Sequence, residues 1–245
     1  KKSGRLQSVE MTNYKAVVTD LGTSTGYNLV MYEKSGGSWV EYKRWQVRKD
    51  TSVTSGFAAT MDVITGTHIS RRRMVQNAEN TQWYVEYGQV VSGNFKIDRK
   101  EVTTYKSATK TYRVEYYRKS GSVFTRDHII EKDFAYVPYY LGGTQKMSEY
   151  RKIKSNGSSE TTEFWEKYTY YNSSSSVSEQ VRGNLKSKEN SLGQWAYYEY
   201  FNDSENGYGL KKEYTPKTAI ASDMPTSFGS NFDGRIKTYQ RVDEK

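Results

Sequence analysis

Thr111-Tyr112-Arg113-Val114-Glu115-Tyr116-Tyr117-Arg118-Lys119-Ser120-Gly121-Ser122-Val123 carries the clearest structural signal in the chain. Tyr112, Val114 and Tyr116 fall on one side of an extended backbone, while Arg113 and Glu115 fall on the other. That period of two belongs to a strand with one face turned toward packing, not to a helix with a period near 3.6. Ser120-Gly121 then breaks the pattern, and a second β-prone run from Val123 to Val137 resumes it. A Gly-containing break between two such runs reads as an antiparallel hairpin.

The same punctuation recurs on both sides. Ser35-Gly36-Gly37 separates Tyr27 to Glu33 from Trp39 to Lys49, and Ser92-Gly93-Asn94 separates Trp83 to Val91 from Phe95 to Tyr105. Asn156-Gly157 separates Met147 to Lys154 from Thr161 to Tyr171. Hairpin turns are therefore expected at Gly36-Gly37, Gly93-Asn94, Gly121 and Asn156-Gly157. The expected fold class is all-β: an antiparallel hairpin meander forming a large twisted or spiralling sheet. In Trp195 to Phe201 nearly every position is aromatic, which implies a strand covered on both faces. The one helical candidate is Ile69 to Glu79, where Met74 and Ala78 would share a face. No Pro-rich linker interrupts the chain, and the serine run Ser173-Ser174-Ser175-Ser176 reads as a loop. The expected organisation is one continuous β-rich unit over residues 1–245, a fragment of a larger repeat protein.

Composition agrees with strands. Of the 245 residues 35% are hydrophobic, and 23 are tyrosines. A Tyr ring buries a large apolar area while its hydroxyl still requires water or a partner, which suits half-wet sheet faces. The formal net charge is +9. Lys and Arg are interleaved with Glu and Asp, as in Val40-Glu41-Tyr42-Lys43-Arg44-Trp45, and only Arg71-Arg72-Arg73 forms a run. The excess is assigned to solvated strand faces and to charges that keep strand edges from pairing with other chains, so no specific nucleic-acid partner is expected. With no cysteine there is no disulfide framework and no thiolate metal site. No apolar run of about 18 residues is present, so no membrane-spanning helix is expected.

From Gly183 the chain reads Gly-Asn-Leu-Lys-Ser-Lys-Glu-Asn-Ser-Leu-Gly-Gln-Trp-Ala-Tyr-Tyr-Glu-Tyr to Tyr200. This resembles the tyrosine/aspartate (YD) repeat of bacterial rearrangement-hotspot (RHS) proteins, on Gly183, Asn184, Leu185, Leu192, Gly193, Tyr198 and Tyr200. Echoes follow at Gly209-Leu210 and at Gly234-Arg235. The aspartate of the family pattern is replaced by Phe201, with Asn202-Asp203 following. The resemblance implies a spiralling wall of hairpins that does no chemistry itself. It further implies a secreted or cell-surface location and, as partners, the rest of the parent repeat protein and an enclosed cargo or toxin domain.

Other constellations are sparse. Asp20-Leu21-Gly22-Thr23-Ser24-Thr25 looks like a phosphate-binding hairpin turn, but no second such loop accompanies it, and it reads as an ordinary turn. The two histidines, His68 and His128, are too far apart in sequence to announce a metal site. Glu160 with Glu163 offers a carboxylate pair that sequence alone does not place at catalytic spacing. The chain is therefore read as non-catalytic, with no cofactor. A second reading is a surface adhesin or carbohydrate-binding module, with Trp39, Trp45 and Trp83 as candidate stacking platforms. A third is a polyanion binder, which would need a continuous stripe of Lys and Arg.

Overall fold

The computed structural model describes residues 8–20, 26–139, 142–156, 159–172, 175–202, 207–217, 223–228 and 232–240. Strands hold 72% of the described residues and helices none. The strands are β1 (Ser8–Glu10), β2 (Tyr14–Asp20), β3 (Gly26–Ser35), β4 (Ser38–Lys49), β5 (Phe57–Thr65), β6 (His68–Gln76), β7 (Gln82–Val91) and β8 (Asn94–Lys106). They continue as β9 (Thr111–Ser120), β10 (Val123–Tyr139), β11 (Gly142–Asn156), β12 (Ser159–Tyr170), β13 (Leu185–Asn190), β14 (Trp195–Tyr200), β15 (Leu210–Pro216) and β16 (Gly234–Thr238). Their order in the sheet is their order in the chain, and the sheet does not close. This is the antiparallel meander expected from the hairpin punctuation.

Turn chemistry explains the positions of the hairpins. Gly36 and Gly37 have φ of 56° and 85°, the paired left-handed conformations of a type I′ turn, whose twist matches that of the flanking strands. Gly121 supplies a positive φ of 62° at the β9–β10 turn. One expected turn is displaced by a residue. Ser92 and Gly93, with φ of 50° and 78°, form the β7–β8 turn, and Asn94 already pairs with Val91 as the first residue of β8. At the Asn156-Gly157 turn, Asn156 pairs with Ser159, while Gly157 lies outside the described residues.

The helix expected over Ile69 to Glu79 is not formed. His68 to Gln76 is strand β6, joined to β5 by a turn at Gly66, which has φ of 56°. Two adjacent strands supply what a helix would not: carboxylates opposite its arginines. Arg71 Nε and Nη2 donate to the two carboxylate oxygens of Asp62, each at 2.7 Å, and Asp62 is 4% exposed. Arg73 donates to Asp50 at 2.6 Å and to Glu86 at 3.1 Å. The arginine run therefore does not guard an edge, because β6 lies between β5 and β7.

The chain divides into two compact units, Lys1–Tyr105 with Val114–Asp127, and Lys106–Arg113 with His128–Lys245. In the first unit the buried apolar side chains are few and small: Val30, Ala58, Val75 and Val85. Val85 points away from Val75, since Val75 pairs with Tyr84 and Val85 with Met74. Both faces of this sheet thus remain in partial contact with water. The second unit buries larger groups, including Ile129, Tyr171, Trp195 and Tyr214. Trp195, Tyr197 and Tyr214 meet Phe228 and Phe232, with the Tyr197 and Phe228 rings stacked at 4.3 Å. Trp195 and Ala196 are adjacent, face opposite ways and are 5% and 2% exposed. The β14 strand is covered on both faces, as its aromatic density implies. Phe201 lies beyond its end.

Candidate functional site

Gly183 to Tyr200 forms one strand-turn-strand unit. Gly183 has φ of 88°, a left-handed conformation that β-carbon-bearing residues resist, and β13 begins two residues later at Leu185. The hairpin turn is closed by Gly193, at φ of 71°, whose N–H donates to the Asn190 carbonyl at 3.0 Å. Asn190 Oδ1 also accepts from the backbone of Leu192 and Gln194. Leu192 itself is exposed, whereas Leu185, Tyr198 and Tyr200 are half-buried.

Register exposes a copy that the quoted motif only partly reveals. Trp165-Glu166-Lys167-Tyr168-Thr169-Tyr170-Tyr171-Asn172 is followed by Trp195-Ala196-Tyr197-Tyr198-Glu199-Tyr200-Phe201-Asn202. Tyr170 pairs with Leu185, and Tyr200 pairs with Leu210. A bulge follows in each case, with Lys186 and Lys211 as the extra residues. Each lysine ammonium then lies 5.8 Å from a ring centroid, Lys186 over Tyr171 and Lys211 over Phe201. The Trp-x-x-Tyr-x-Tyr-aromatic-Asn pattern was present in the sequence. The bulges that make the two lysines equivalent were not. Gly234-Arg235 opens β16, antiparallel to β15, so this third step runs opposite to those at Gly183 and Gly209.

Between the two copies lies a pocket of about 930 Å³ bordered by Tyr171, Lys186, Tyr197, Tyr200, Asn202 and Lys211. Burial makes its Tyr170, Tyr171 and Tyr200 hydroxyls hold their protons more tightly than a free phenol does. Burial, aided by the neighbouring Tyr197 hydroxyl, raises Tyr171 far above the usual phenol range, and its hydroxyl donates to the Tyr198 carbonyl at 2.8 Å. Tyr168 is pushed up to about 12 by burial and by its hydrogen bond to Glu166.

In the first unit a groove of about 870 Å³ lies on one face of β5 to β8, with Arg118 and Lys119 at its border. Cross-strand pairing builds it. Met61 pairs with Arg72, Arg72 with Tyr87, and Tyr87 with Arg99, placing one row of side chains across four strands. The Arg72 and Arg99 guanidinium carbons stand 5.5 Å and 4.1 Å from the Tyr87 ring centroid, one from each neighbouring strand. The next row is Val63, Ser70 and Gln89. Burial, then the nearby Glu101, raises the Tyr87 hydroxyl above its ordinary value. Gly88 lies at a β-bulge, where a β-carbon would come within 1.9 Å of the Lys96 carbonyl oxygen.

The tryptophans picked out as stacking platforms do not assemble. Trp45 shares a face with Trp83, but Trp45 lines up through Val63 and Ser70 with Gln89, six residues along β7 from Trp83, roughly 20 Å away along the strand. Trp39 is on the opposite face, opposite Lys34. Trp39 and Trp45 each carry a lysine, Lys34 at 5.7 Å and Lys43 at 4.6 Å. The two members of the carboxylate pair take different cations: Glu160 accepts from Arg113 at 2.5 Å, and Glu163 lies 3.5 Å from Lys152. His68 is exposed, with its Nε2 3.1 Å from the Ser70 hydroxyl. Among the described residues no group of His, Asp or Glu is arranged to hold a metal ion. Of the phosphate-loop candidate Asp20 to Thr25, Asp20 ends β2 and Leu21 to Thr25 lie outside the described residues. Comparisons with known protein families, curated proteins and solved structures found no match for this chain.

Proposed function

We propose that the chain is a non-catalytic structural segment of a larger bacterial secreted or surface assembly, a length of sheet wall of the tyrosine-repeat kind. Its partners are then the rest of that assembly and any cargo it encloses. The observation that carries this reading is the copy in register: Tyr170 with Leu185 and Lys186, then Tyr200 with Leu210 and Lys211. A hairpin that repeats in this way buries its aromatic face only against its neighbours, so stability accrues by stacking copies rather than by enclosing a reaction site. The ion pairs fit the same role, because they join successive strands instead of converging on a cavity: Arg113 to Glu131, and Arg151 to Glu131 and Asp133. Hydrogen exchange on the isolated chain and on the parent assembly tests the proposal. Amides of β14 to β16 are expected to gain protection in the assembly. Identical exchange in the two states overturns it.

A further inference from the structure

We infer that the groove across β5 to β8 binds an acidic polysaccharide, one whose sugars carry carboxylate or sulfate groups. The inference is independent of the scaffold reading. It begins with charge: Arg72 and Arg99 have no carboxylate within ion-pairing distance among the described residues, although Arg71 and Arg73 beside them on β6 are both paired. Lys119 adds an exposed cation and Arg118 a second, itself ion-paired with Asp127 at 3.3 Å. Asp98 is the acidic side chain lining the groove, and Glu101 lies against the Tyr87 hydroxyl. Cations spread along an open groove suit a ligand with recurring charges better than one small anion, which would reach only one or two of them.

The neutral groups narrow the ligand class. Met61 and Val63 give an apolar floor, and Ser70 and Gln89 beside them offer hydrogen-bonding groups. A sugar ring presents the complement, with an apolar C–H face and hydroxyls at its rim. A nucleobase would instead need an open aromatic face to stack on. Tyr87 offers none, because Arg72 and Arg99 flank its ring from the two adjoining strands. Guanidinium forks match carboxylate and sulfate oxygens and are held in place here by that contact.

Titration calorimetry of the full chain with polygalacturonate and heparin oligosaccharides, neutral dextran and oligothymidylate tests this. Binding of at least one acidic oligosaccharide is expected, weakening as salt rises, with no heat from dextran. The double variant Arg72→Gln/Arg99→Gln should lose affinity by about tenfold or more, while Lys15→Gln/Lys34→Gln, which removes the same charge from the other face, stays within about twofold. Arg99→Lys retains the charge without the planar fork and keeps the assay informative if the double variant fails to fold. It should weaken binding by about threefold. An absence of binding to both acidic oligosaccharides overturns the inference, as do equal losses in the two double variants or no change in Arg99→Lys. Tighter binding of oligothymidylate assigns the groove to nucleic acid instead and overturns it as well.

Discussion

Asp50 shows how single side chains stabilise a sheet with few buried apolar groups. Its carboxylate accepts from the Ser52 backbone at 2.9 Å, the Ser52 hydroxyl at 2.6 Å and Arg73 Nε at 2.6 Å. These bonds hold it at about 2, against an ordinary value of 3.8. A carboxylate with a depressed folded-state pKa adds stability that is present above its unfolded value and disappears as pH falls through its folded one. The Asp50 contribution is therefore full above pH 3.8 and lost on approach to pH 2. Asp50→Asn keeps the shape without the charge, and at neutral pH it should cost about 1 kcal/mol, because solvent weakens a part-exposed pair. Melts across the acid range are expected to show the variant and the wild-type chain converging as Asp50 protonates. A constant gap between them would assign the cost to geometry rather than charge.

At the scale of strands and turns, backbone conformation separates two glycines that look equivalent in sequence. Gly183 has φ of 88°, but Gly209 has no positive φ, and a β-carbon there meets nothing within 4 Å. Gly183→Ala should therefore destabilise by about 1 kcal/mol, while Gly209→Ala should be neutral or slightly stabilising through the unfolded chain. Denaturant midpoints of the two variants check this, and equal shifts contradict it. The hairpins at Gly36-Gly37 and Gly121 were legible because a local requirement, positive φ, selects glycine there. Gly66 meets the same requirement at the β5–β6 hairpin, but the strand after it was hidden because its arginines pair with carboxylates from elsewhere: Asp62 on β5, Glu86 on β7 and Asp50 beyond β4. Register was equally hidden. Asp98 is the extra residue of the β7–β8 bulge, and without that bulge Arg99 would not come opposite Tyr87. The groove was thus beyond a reading that knew only alternation, and aromatic content alone pointed to tryptophans that lie far apart.

Over the whole molecule, tyrosine is distributed unequally in its chemistry. In the first unit burial, and then Glu101, raise Tyr87 above the ordinary phenol value. In the second unit Tyr168 and Tyr214 are pushed up to about 12, by burial first and then by hydrogen bonds to Glu166 and Glu199. Burial also raises Tyr170, Tyr171, Tyr198 and Tyr200. A phenol with a raised folded-state pKa contributes stability that is full below its unfolded value and lost as pH rises through its folded one. For Tyr168 and Tyr214 that window runs from pH 10 to about 12, and Tyr170, Tyr171, Tyr198 and Tyr200 act in the same direction. The second unit should therefore open in alkali before the first, whose buried side chains are mostly aliphatic. Hydrogen exchange at stepped alkaline pH, compared by strand after correction for intrinsic rates, is expected to show protection lost from β12 to β15 while β3 to β7 retain theirs. Tyrosinate absorbance should complete its rise only as β12 to β15 open, because the buried phenols ionise when water reaches them. Full ionisation with β12 to β15 still protected would mean that these rings are not held by the packing described.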